Sequence, residues 1–96
     1  MSNNNTNTSA LGPFTVGDKV VIRAIPYHYI GEIAAIGEKT VTLAPNAVWL
    51  ADSGRWGDML TSGTPSECEP YPDGVTIAFT VIADATKWRH AIPGKL

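Results

Sequence analysis

Few residues in this chain are placed to do chemistry. The densest group is Tyr27-His28-Tyr29, at the head of the stretch PYHYIGEIAAIGEKTVTLA, residues 26–44. A histidine between two phenols could move protons near neutral pH, with the hydroxyls orienting its ring. On an extended chain, however, Tyr27 and Tyr29 point to one face and His28 to the other. Histidine catalysis also needs a nucleophile or carboxylate at fixed reach, and no neighbouring motif supplies one. The triplet therefore reads as the start of a strand.

The other reactive side chains give the same answer. His28 and His90 stand far apart in sequence, without the close histidine spacing of a metal site. Cys68 is the only cysteine, so an internal disulfide is excluded, and Glu67 and Glu69 beside it oppose formation of a thiolate. The serines lie in TSG and DSG, which is turn and cap chemistry, without a G-x-S-x-G elbow. The glycines form neither a phosphate loop nor a dinucleotide fingerprint. The reading is of a protein that is not an enzyme and needs no cofactor or metal.

The large aromatics carry more information. Trp49, Trp56 and Trp88 with Tyr27, Tyr29 and Tyr71 are too many for the interior of a 96-residue chain, so part of the set is expected at the surface. Exposed rings of this kind stack on bases, grip sugars or anchor protein interfaces. Lys87, Arg89 and His90 flank Trp88, which matches a single-strand nucleic-acid platform or an interface that meets an acidic surface. The chain holds such an acidic segment itself, ECEPYPD at 67–73, so a head-to-tail contact between copies is expected.

Bulk composition bounds the rest. Net charge is −2 and 17% of residues are charged, below the usual share of about 25%. That balance lacks the clustered cations of a duplex-binding protein, so nucleic acid is not the expected partner. It favours a chain that hides surface against its own copies. No run reaches the roughly 18 apolar residues of a spanning helix, and residues 1–12 lack the pattern of a secretory signal. The expected location is the cytoplasm or an assembled particle.

The elements that position these side chains are mostly strands. FTVGDKVVIRAI reads as a turn and then a strand at 19–25, with Val20, Ile22 and Ala24 on one face and Val21, Arg23 and Ile25 on the other. A second strand at 28–36 puts Tyr29, Gly31, Ile33 and Ala35 together, with Gly31 suited to a bend or a close backbone approach. Gly37 opens the short connection 37–39, and TVTLA at 40–44 completes a hairpin. AVWL at 47–50 reads as a short extended piece. Asp52 or Ser53 caps a short helix over 52–60 whose sticky face is Trp56, Met59 and Leu60. Residues 61–74, rich in Pro and Gly, read as loop, and VTIAFTVIAD at 75–84 as one long strand that is central or paired with another chain. The Asn-rich residues 1–12 read as a disordered polar arm.

Together these describe an all-β chain with one short helix. It is a small, strongly bent antiparallel barrel or sandwich of five or so strands over 13–96, with an insertion at 51–74. The hairpin pattern G-x-I-x-x-I-x-x-x-x-V-x-L, from Gly31 to Leu43, resembles the bent second and third strands of Sm-like and Src-homology-type small barrels. The likeness spans about residues 17–50; the 51–74 insertion departs from the minimal barrel, and the Sm nucleotide-binding motif is not recognisable. In make-up, rather than in any motif, the chain also resembles small phage-encoded structural proteins. That likeness implies a capsid-associated, connector or tail component, with other particle proteins as further partners. The expected function is self-assembly through β edges and exposed aromatics. The alternative is a small barrel that binds single-stranded nucleic acid or a protein partner.

Overall fold

The computed structural model describes residues 11–96. Antiparallel strands dominate it: β1 (Lys19–Ala24), β2 (His28–Ile36), β3 (Thr40–Leu43), β4 (Ala47–Asp52), β5 (Glu67–Tyr71), β6 (Val75–Ala78) and β7 (Ile82–Lys87). One short helix, α1 (Trp56–Ser62), sits between β4 and β5, and a single 3-10 turn, Phe79–Val81, links β6 to β7. The expected polar arm falls outside the described residues except for its last two positions. Of these, Leu11 is only 2% exposed and belongs to the core.

β2 is the hub. It pairs with β1 from Lys19↔Glu32 to Arg23↔His28, with β4 through Tyr29↔Trp49 and Ile30↔Val48, and with β3 through its C-terminal half. The register slips between Ile33 and Ala35, a bulge that bends the strand as it passes from one partner to the next. Gly31 lies just before the bend, where a Cβ would come to 2.7 Å from the Ala47 Cβ and press on Leu43. The backbones can cross this closely only over a glycine.

From Thr40 onward the chain makes a long double hairpin. β4 pairs with β5, and β3 with β6, so 40–52 runs back along 67–78 with α1 at the tip. Each arm is interrupted at its middle. Asn46 turns there with φ 74°, and Gly74 with φ 82°, its α-carbon held so close to the Leu43 carbonyl that no side chain fits. The strand order is β5-β4-β2-β1-β7, with β3 beside β2 and β6 beside β3, and the sheet does not close.

Alternation along the strands builds two cores. Val20, Ile22, Ala24, Ile33, Val41, Leu43 and Ile77 bury on the inner face of the bend. Val21, Ile30, Val48, Leu50 and Cys68 bury on the outer face, under Met59 of α1 and Trp88. The split of β1 into Val20/Ile22/Ala24 and Val21 follows the two faces read from its sequence.

Three expectations need correction. Residues 67–71 form a strand: Pro70 is tolerated because its missing N–H faces away from β4, where the C-terminal segment bonds β5 at Cys68 and not at Pro70. Residues 75–84 are not one strand but two, broken by the 3-10 turn, which sends β7 across to pair with β1. The helix begins at Trp56 with Arg55 at its cap, because Asp52 is already used: its Oδ1 accepts the Gly54 amide at 2.8 Å.

Candidate functional site: an aromatic sheet face

Register decides which side chains share a surface. Tyr29↔Trp49 and Trp49↔Glu69 are direct cross-strand partners, so the three form a row across β2, β4 and β5. Two residues along β5 in either direction, Glu67 and Tyr71 project from the same face. Tyr27, in the turn before β2, lays its ring edge-on against Trp49 at 5.8 Å between centroids, and Tyr29 tilts against Tyr71 at 6.1 Å. The result is a continuous surface of four aromatic rings bordered by two exposed carboxylates.

Its exposure is partial and graded. Tyr27 is 49% exposed, whereas Tyr29, Trp49 and Tyr71 are half-buried. Burial first, and the neighbouring Tyr71 second, push the Tyr29 phenol above its ordinary pKa, so it stays a neutral donor through the physiological range. Beyond Tyr27 the apolar rim continues to Ile25, 72% exposed, whose amide bonds to the Val81 carbonyl; Val81 is itself 38% exposed. The composition announced surplus aromatics, but Ile25 and Val81 carried no local signal of exposure. Only the pairing of the β1 end with the 3-10 turn brings them to the rim.

His28 belongs elsewhere. It faces the opposite side of β2, ring edge-on to Trp56 of α1 at 5.8 Å, and its buried Nδ1 has no hydrogen-bond partner among the described residues. Next to it Arg23 lies over the Trp56 ring at 5.8 Å and grips Asp84 with Nε and Nη2, as a fork. That hydrogen bond holds the Asp84 carboxyl below its ordinary range and raises Arg23 further. The row Asp84-Arg23-His28 crosses β7, β1 and β2 in register and pins α1 onto the sheet. It brings no nucleophile to the histidine.

His90 is remote from His28. Its Nε2 lies 2.9 Å from the Leu60 carbonyl and its ring stands against Trp88. Among the described residues no three His, Cys, Asp or Glu side chains approach closely enough to hold a metal. Cys68 is fully buried, with its thiol 3.0 Å from the Gly94 carbonyl. Burial is the main reason its pKa is raised, and Glu69 only a lesser one, which reverses the weight given by the sequence.

Trp88 is also corrected. Expected as an interface candidate between Lys87 and Arg89, it is 1% exposed and anchors the outer core, donating its indole N–H to the Ala91 carbonyl at 3.0 Å. Lys87 and Arg89 remain exposed and line an open groove of about 420 Å³ against the last turn of α1. The candidate residues therefore fall into three places: Tyr27, Tyr29, Trp49 and Tyr71 on one face, Trp56 on α1 behind it, and Lys87 with Arg89 on the far edge. Gly31 and Gly37 act in the backbone; the Gly37 amide closes the β2–β3 turn onto the Thr40 carbonyl at 2.8 Å.

No family model matches this chain, and neither a curated protein nor a solved structure does. Among the described residues no helix is long and apolar enough to cross a membrane.

Proposed function

We propose that this protein is a non-enzymatic, self-associating structural module, a building block of an assembled particle of the kind phages encode. The observation that carries this reading is the aromatic row across β2, β4 and β5, in which Tyr27 is exposed and Tyr29, Trp49 and Tyr71 are only half-buried. Isolated aromatics at a surface are ordinary, but rings packed edge to edge and left open are the composition of a protein interface. The low charge content supports the same reading.

The nucleic-acid alternative loses its main support with Trp88 in the core. Lys87 and Arg89 then stand without the stacking ring that a single-strand platform needs. Size-exclusion chromatography with light scattering, recording absorbance at the protein and nucleic-acid wavelengths, tests the proposal. A defined multiple of the chain mass, free of nucleic acid, is expected. A monomer, or a species that carries RNA or DNA, would overturn it.

A further inference from the structure

We infer that the occupant of the aromatic face is the Lys87–Arg89 edge of a second copy, which makes the assembly head-to-tail; this rests on the self-association reading above. Three observations carry it. First, the two surfaces lie at opposite ends of one sheet path: Glu67 and Glu69 on β5 at one end, Lys87 on β7 at the other. Four strand spacings separate β5 from β7, about 19 Å along the sheet at about 4.8 Å each, and within the chain it is Lys95, not Lys87 or Arg89, that reaches Glu69.

Second, the charges are complementary and largely unspent. Among the described residues the ion pairs are Arg23 with Asp84, and Lys95 with Glu69 at 3.9 Å. Lys87, Arg89 and Glu67 have no opposite charge in reach, and the Lys95 pair is long and exposed, a contact that costs little to exchange. Third, the chemistry of the acidic face suits these cations in particular. Trp49, Tyr27 and Tyr71 offer ring surface beside the Glu67 and Glu69 carboxylates, a setting in which an arginine both stacks and pairs. The contact is heterologous, since the β7 edge of one copy meets the β5 face of the next. It therefore closes into a ring or runs on as a filament.

Charge exchange tests the pairing with the full chain. The double variant Lys87→Glu/Arg89→Glu and the double variant Glu67→Lys/Glu69→Lys should each weaken self-association by at least about tenfold, because attraction is replaced by repulsion. The variant that carries all four substitutions should recover the wild-type mass in light scattering. All four positions are exposed, and far-UV circular dichroism verifies that each variant keeps its fold. If wild type assembles but either double variant retains its mass, or the fourfold variant fails to recover, the pairing is overturned and the self-association reading stands. Nucleic acid bound by wild type and lost with Lys87→Glu/Arg89→Glu would also overturn it, assigning the basic edge to a polyanion. A wild-type monomer at every concentration overturns both.

Discussion

Gly31 owes its place to space rather than to a special backbone angle: a methyl group there would meet the Ala47 Cβ at 2.7 Å and two Leu43 atoms just beyond 3 Å. Gly31→Ala should therefore overpack the crossing of β2, β3 and β4 and cost about 1–3 kcal/mol, read as a lowered midpoint of urea unfolding. An unchanged midpoint would mean that the strands do not cross this closely. Trp88 is the largest fully buried side chain, and Trp88→Ala should cost about 3–5 kcal/mol in the same measurement. Asp84 gives a pH signature. Its folded pKa is lowered, chiefly by the hydrogen bond from Arg23, so the pair's contribution is complete above the ordinary carboxylate range. It is lost as pH falls through the lowered value. Asp84→Asn should flatten the acid limb of the stability profile and leave its neutral and alkaline shape alone, with the difference shrinking in salt because both side chains are exposed.

At the scale of elements, the C-terminal segment serves as an edge cover. Leu96 and Cys68 exchange both backbone hydrogen bonds at 3.0 Å, extending the sheet beyond β5, and the Cys68 thiol donates to Gly94 beneath them. Removing residues 91–96 should expose Cys68 to a thiol reagent under native conditions, whereas the intact chain should react only on unfolding. Rapid reaction of the intact chain would contradict this arrangement. The elements that could be read from the sequence are those whose own residues alternate cleanly. β1 and β3 appeared with their faces, and β2 with its bounds and its Gly37 turn, because Val20/Ile22 and Val41/Leu43 bury on a period of two. Past the bulge in β2, however, Ala35 turns outward and Ile36 joins Ile33, the reverse of the expected faces. β5 was hidden because ECEPY carries a proline and two carboxylates, signals that mean loop unless the strand is known to end a sheet. The break in 75–84 was hidden by Val75, Ile77, Phe79 and Val81, whose alternation continues through a 3-10 turn. Inside that turn the inward phase moves from Phe79 to Ile82, a step of three. The aromatic face was legible as a surplus of rings and not as a place, since it depends on Trp49 meeting both Tyr29 and Glu69 across strands distant in sequence.

For the whole molecule, a bent sheet that does not close leaves two unlike ends, one aromatic and acidic, the other basic. On the proposed pairing such a chain would associate by electrostatic contact of unlike surfaces, and its assembly should then weaken as salt screens the charges over about 8 Å at physiological ionic strength. Sedimentation velocity of the wild-type chain over a wide concentration range, at low and high salt, addresses this most directly. The expected result is a sedimentation coefficient that rises with concentration at low salt and falls back toward that of a single chain at high salt. One coefficient, that of a single chain under every condition, would contradict the account.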